Sequence, residues 1–184
     1  MSDADRQRWD ARHGAVGAAG AAGAMPPDAL RGREHLLPGG GRALDVACGR
    51  GGVAVWLAGR GFAVDAVDVS EVGLAAGAAL AADAGAAGRV RWWAHDLDAG
   101  LPQGCAGPYD VVVCQRFREP ALYPLLAGLL APGGLLVVTV LSEVDEGPGP
   151  FRAAAGELLA AFGGLAVVDH RERDGEASLL ARRG

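Results

Sequence analysis

The chain has 184 residues, 51% of them apolar and only 5% aromatic, with a formal net charge of −5. That size fits one domain with an aliphatic core, and the charge balance speaks against a broad basic nucleic-acid-binding surface. No apolar run reaches the roughly 18–20 residues that cross a bilayer; the charged start MSDADRQRWDARHG lacks a signal-peptide stretch, so a cytoplasmic protein that binds neither membrane nor nucleic acid is expected.

Taken in order, residues 3–12 predict a short helix capped by Ser2 or Asp3. The glycine- and alanine-rich stretch 15–27 predicts a connector ending in Pro26-Pro27. A second short helix is expected over 28–37, stopped by the PGGG of 38–41. From Arg42 the pattern turns to alternating strands and helices. Strands are expected over 43–47, 63–69, 89–94, 109–114 and 135–141. Helices are expected over 52–59, from Ser70 as N-cap through Leu74, Ala78 and Ala81, and over 121–130 and 153–162. Segments 165–171 and 176–182 flank Asp174-Gly175, a strong hairpin signal. Repeated strand–helix–strand units predict a doubly wound, Rossmann-like α/β fold. Its sheet would be seven-stranded and mostly parallel, with helices on both faces and a C-terminal antiparallel hairpin. The expected division is an N-terminal helical arm and connector over 1–41, able to act as a lid, and one main domain over 42–184.

Cys48, Cys105 and Cys114 form no C-x-x-C pair, and an odd number suggests no disulfide framework. His13, His35, His95 and His170 are widely spaced and predict no metal site.

The informative segment is ALDVACGRGGVAVWLAGRGFAVDAVDVS. A buried strand feeds into Cys48-Gly49-Arg50-Gly51-Gly52 and then a helix, where glycines permit a sharp turn and close approach of a ligand. The spacing departs from the dinucleotide fingerprint G-x-G-x-x-G, with Val55 in place of the third glycine. Asp45 lies in the first strand and Asp68 ends the second, both toward the crevice where nucleotides sit. Asp68 can accept two hydrogen bonds from a ribose diol.

LDVACGRGGVAVWLA resembles the first motif of class I S-adenosylmethionine-dependent methyltransferases, and VDAVDVS resembles the second. AHDLDAGLP, YDVVVCQRF and LLAPGGLLVVTVL resemble later segments of the same family. RWDARHG and FRAAAGELL resemble its tellurite-resistance and small-thiol branch, with His13 where relatives carry tyrosine and Ala154 where some carry arginine. Ala47 stands where many relatives carry glycine, one small residue for another. The resemblance implies S-adenosylmethionine as cofactor, held by Asp45, Ala47, Gly49, Gly51, Asp68, Val69, Asp96, Leu97 and Gln115. It gives Asp45 the amino end of the methionine moiety, Asp68 the ribose and Asp96 the adenine amino group.

Methyl transfer needs proximity and orientation above all. The expected acceptor is a small molecule such as a thiol or a metalloid oxyanion, acted on by a monomer or homodimer. Arg116 and Arg118 are candidates to attract an anionic acceptor, and Glu119 and His13 are candidate bases. Trp92 or Trp93 is expected in the core, the other at the adenine edge. Two alternatives stand beside this reading. One is a non-catalytic nucleotide-binding domain of the same fold. The other is an NAD-binding oxidoreductase, against which stands a chain without any lysine.

Overall fold

The computed structural model describes residues 3–15 and 23–184. Most of the expected connector, and Ser2 as a helix cap, lie outside what is described. The first helix, α1, runs Asp3–Ala15, three residues beyond its expected end. Its last turn carries Arg12 and His13, and the Arg12 cation favours the helix C-terminus.

The chain divides into two compact units. The first comprises residues up to Pro26 together with Gly39–Cys105; the second comprises Pro27–Pro38 and Ala106–Gly184.

In the first unit, β1 (Gly41–Val46) leads to α2 (Gly52–Gly59), β2 (Phe62–Asp68), α3 (Glu71–Asp83) and β3 (Val90–Ala94). The strands lie parallel in the order β3-β2-β1, with Asp45 level with Ala66 and Asp68 level with Ala94. A parallel sheet buries its strands, so they read as apolar runs; Ala43, Leu44, Val46, Ala66 and Val67 are fully covered. Six successive residues of α2, Val53 to Ala58, are also buried. That helix is apolar all round and therefore lies inside the unit.

In the second unit, β4 (Tyr109–Gln115) precedes α4 (Tyr123–Gly128), β5 (Leu130–Ser142), β6 (Arg152–Ala153), α5 (Glu157–Ala161), β7 (Ala166–Arg173) and β8 (Glu176–Arg182). The order is β4-β5-β8-β7, with β6 beside the end of β5. β4, β5 and β6 are parallel; β8 is antiparallel to both β5 and β7. Asp174 and Gly175 join the hairpin with φ of 52° and 75°, the paired left-handed conformation of a type I′ turn.

The α/β class, the mostly parallel strands and the C-terminal hairpin agree with expectation. Several boundaries do not. The helix expected over 28–37 is two isolated 3-10 turns, Asp28–Leu30 and Glu34–Leu36, split at Gly32 with φ 74°; ten residues so divided cannot offset helix nucleation. The helix expected over 121–130 is a 3-10 turn, Pro120–Leu122, followed by α4, and Leu130 instead pairs with Tyr109 in β5. The helix expected over 153–162 is only α5, because Arg152 and Ala153 pair with Leu141 and Ser142. That pairing makes eight strands among the described residues instead of seven.

Candidate cofactor site

Between β1 and α2 the backbone enters the left-handed region three times, at Ala47 (φ 54°), Gly49 (φ 55°) and Gly51 (φ 71°). Glycine takes that conformation without penalty, whereas an alanine Cβ costs about 1 kcal/mol or more. Ala47 for glycine is therefore not a neutral exchange of small residues; it places strain at the loop. The loop is pinned by backbone bonds from Cys48 N–H to the Val67 carbonyl (3.0 Å) and from Gly51 N–H to the Cys48 carbonyl (2.9 Å).

Asp68, 7% exposed, organises the end of β2. Its Oδ2 accepts the Gly49 N–H at 2.8 Å and its Oδ1 the Ser70 N–H at 2.8 Å. A carboxylate has about four acceptor positions, so both oxygens retain capacity for a ligand. Ser70 caps α3 as expected, accepting the Gly73 N–H at 3.0 Å.

Asp45 is 3% exposed, and its Oδ2 has no hydrogen-bond partner among the described residues. Burial pushes its carboxyl up to about 8; the nearby Asp68 charge adds to the effect and a bond from the Ala54 amide opposes it. Burial likewise pushes the Cys48 thiol up, with the Asp45 and Asp68 charges contributing. The third acid of these strands, Asp65, is equally buried but fully engaged. It takes Arg91 at 2.8 and 3.1 Å, Arg42 at 3.4 Å and the Trp93 indole N–H at 3.0 Å. Asp65 is a structural acid, and Asp45 is an acid with one oxygen unpartnered among the described residues.

The N-terminal helix reaches this loop. The Ser70 hydroxyl donates to Asp10 at 2.6 Å, and Arg50 donates to the His13 carbonyl at 2.6 Å. The His13 ring lies in the space left by missing side chains: a Cβ on Gly49 would stand 3.3 Å from it and a Cβ on Gly73 3.2 Å. Burial lowers the His13 pKa, against the opposing charge of Asp68. Sequence reading found His13 but missed Asp10, Arg50 and Gly73. The available signal was Gly73 and Gly77, four apart on one helix face.

Those glycines have contrasting reasons. A Cβ at Gly51 or Gly77 would run into the Trp92 ring at 2.4 and 2.6 Å, so Trp92 fills the notch between loop and helix. At Gly73 the obstacle is the Gly49 carbonyl oxygen, 2.7 Å away. Helix propensity alone would make Gly73→Ala stabilising by about 1 kcal/mol. The collision with loop backbone reverses the sign: urea unfolding is expected to show a loss of about 1–3 kcal/mol.

Other expected cofactor residues lie close by in the same unit. Val69 is half-buried beside Asp68, and Leu97 is buried. The His95 N–H bonds the Asp68 carbonyl at 2.9 Å, so Asp96 follows directly after the end of β2's neighbour. Its Oδ1 accepts the Asp98 N–H at 3.0 Å and caps a 3-10 turn. Trp93 packs over Gly104.

Gln115, Arg116, Arg118 and Glu119 belong to the second unit. Gln115 accepts the Asp28 N–H through Oε1 at 3.1 Å. Arg116, with a 70% exposed side chain, stands 3.9 Å from both Asp28 and Glu176. Glu119 caps the turn after β4 by accepting the Ala121 N–H at 3.1 Å. Arg118 is committed to Glu157 through two bonds of 2.8 and 2.6 Å, and Tyr123 donates to the same carboxylate at 3.3 Å. That pairing holds the Glu157 carboxyl below its ordinary range and neutralises one of the two arginines expected to draw an anionic acceptor.

A glycine loop at the C-terminal ends of parallel strands is the arrangement at which Rossmann-like folds bind nucleotides. The family model described as a methyltransferase domain matches residues 43–134, half of the chain, and the chain belongs to this family, the class I S-adenosylmethionine-dependent methyltransferases. A ubiquinone biosynthesis O-methyltransferase of Caulobacter sp. (strain K31) is 37% identical over 107 residues, which cover 55% of this chain and 41% of that protein. A ribosomal protein L11 methyltransferase of Bordetella parapertussis is 35% identical over 148 residues, covering 77% and 42%. The chain thus spans about two fifths of the length of these curated relatives. Among solved structures, TehB from Haemophilus influenzae shares the fold with a TM-score of 0.73 at 20% identity, over 87% of this chain and 63% of that one. Magnesium protoporphyrin IX methyltransferase (ChlM) from Synechocystis PCC 6803, solved with bound S-adenosylmethionine, gives 0.60 at 19% identity, over 98% and 80%. Among the described residues no helix is long and apolar enough to cross a membrane, and no group of three or more His, Cys, Asp or Glu could hold a metal.

Proposed function

We propose that this chain methylates a small-molecule nucleophile. The observation that carries the reading is the buried Asp45 carboxyl with one open oxygen, set beside the Asp68 carboxylate at a glycine loop. S-adenosylmethionine supplies a methyl carbon already activated by its sulfonium sulfur. In this reading Asp45 accepts from the ligand's ammonium and Asp68 accepts the ribose hydroxyls beside its two amide bonds. Val69, Asp96 and Leu97 meet the adenine, and Ala47, Gly49 and Gly51 keep the loop close to the ligand. Gln115, which belongs to the second unit, is the remaining residue that the resemblance implies.

Residues 1–41 act as the arm and 42–184 as the catalytic domain. The Asp10 and Arg50 contacts hold α1 across the loop, the position a lid needs. Soft nucleophiles such as thiols or metalloid oxyanions need little base catalysis, and Arg116, 3.9 Å from Asp28 and from Glu176, is the candidate to attract anionic ones. The Caulobacter relative's name favours a second class, an oxygen nucleophile, which needs a base. His13, lowered by burial and so neutral near pH 7, suits that role better than Glu119, which must first leave its capping bond.

Calorimetric titration with S-adenosylhomocysteine, with NAD in parallel, tests the cofactor. Binding of the first alone is expected; binding of NAD alone sinks the reading. Turnover is then measured with a thiol, a metalloid oxyanion and a phenol. Cofactor binding with no turnover on any of them favours the non-catalytic alternative.

A further inference from the structure

We propose that loading this site expels a proton from Asp45: the ligand-free protein holds Asp45 as a neutral acid, and the ligand's ammonium group converts it to the carboxylate. This inference rests on the cofactor reading above. In the step, the Asp45 O–H bond breaks, its electron pair stays on the oxygen, the proton leaves to solvent, and the oxygen accepts an N–H from the ligand.

Asp45 is almost wholly covered, since only 3% of it is exposed, and an isolated charge at such a position is costly. Its one described donor is the Ala54 amide of α2; Oδ2 faces none. The titratable and charged groups around it do not compensate. From β2 comes Asp68, whose oxygens accept the Gly49 and Ser70 amides, and like charge disfavours a second ionisation. The loop contributes Cys48, a thiol kept protonated by burial, and Arg50, whose guanidinium is directed to the His13 carbonyl. From α1 comes His13, which burial keeps neutral near pH 7, and α2 presents an apolar buried face. A cationic ligand supplies what the described residues lack at Oδ2, and the carboxyl pushed up to about 8 sets the range in which the exchange is visible.

Titration with S-adenosylhomocysteine at about pH 6.5, in buffers of different ionisation enthalpy, counts the protons. Close to one is expected to leave per site, and the apparent affinity is expected to fall about tenfold from pH 7 to pH 6. Asp45→Asn should release none; His13→Gln should still release one. Infrared spectra of the ligand-free protein should hold a protonated-carboxyl band that Asp45→Asn lacks. Binding without proton release, or a release lost in His13→Gln and kept in Asp45→Asn, overturns the proposal while leaving the cofactor reading standing. No binding at all overturns both.

Discussion

Asp45→Asn is expected to make the ligand-free protein more stable at pH 8 and to bring no gain at pH 4. The wild-type carboxyl is raised from 3.8 to about 8 in the folded state. Below about pH 4 it is protonated in both folded and unfolded chains, and burial carries no charge penalty. Between about 4 and 8 the unfolded chain ionises while the folded one does not, so stability falls as pH rises. Above about 8 the folded acid ionises as well and the loss levels off. Across that window, stability declines by about 1.4 kcal/mol for each step of one in pH. Against this stands the buried amide of the variant, whose new N–H donors cost about 1–3 kcal/mol if they find no acceptor. The net expectation is a gain on the order of 2–4 kcal/mol at pH 8, vanishing or reversing at pH 4. Urea unfolding at the two pH values measures it, and equal effects at both would refute a neutral buried acid. The same variant should lose S-adenosylhomocysteine affinity by about 100-fold, the worth of one charge-assisted bond. Stability is then sacrificed for binding at one residue, the pattern expected where a chain departs from its own local rules.

Much of this arrangement is legible in the sequence. The strand–glycine–helix order, Asp45, Asp68 and the Ser70 cap follow from apolar runs, loop composition and capping chemistry, all local signals. What is not legible depends on contacts distant in sequence. Asp65 and Asp68 are the two acids of one VDAVD run, yet one meets Arg42, Arg91 and Trp93 and the other the loop amides. Strand alternation places them on opposite faces, but only tertiary partners show which is spare. Likewise the φ of Ala47 and the approach of Gly73 to the Gly49 carbonyl cannot be read from residue size. The short helices failed for a related reason: apolar periodicity over 153–162 is real, but Arg152 and Ala153 gain strand pairing that a helix would forgo. Arg118 looked available for an acceptor until Glu157, thirty-nine residues on, took its guanidinium.

Asp68→Asn is the substitution expected to damage the site most broadly. One carboxylate serves the loop through Gly49 and the start of α3 through Ser70, and Ser70 in turn bonds Asp10 of α1. Asparagine keeps one carbonyl oxygen, so one amide retains an acceptor while the other meets an N–H₂. A charge-assisted bond is lost, worth about 1.5–3 kcal/mol, and a buried donor is left unpaired. Unfolding by urea should register a loss of about 2–4 kcal/mol, and hydrogen exchange at the Gly49 and Ser70 amides should accelerate. On the proposed ribose contact, affinity for S-adenosylhomocysteine should drop at least 100-fold, because the hydroxyls would lose the charge of their acceptor. Ser70→Ala separates the two effects. It removes the cap of α3, worth about 1 kcal/mol, and the bond to Asp10, but leaves the carboxylate and both its amides in place. Its affinity is expected to stay within about threefold of wild type, a difference under 1 kcal/mol. If Ser70→Ala weakens binding as much as Asp68→Asn, the carboxylate acts only through the position of α1 and α3. If it does not, and Asp68→Asn binds poorly, Asp68 is a direct acceptor for the ligand.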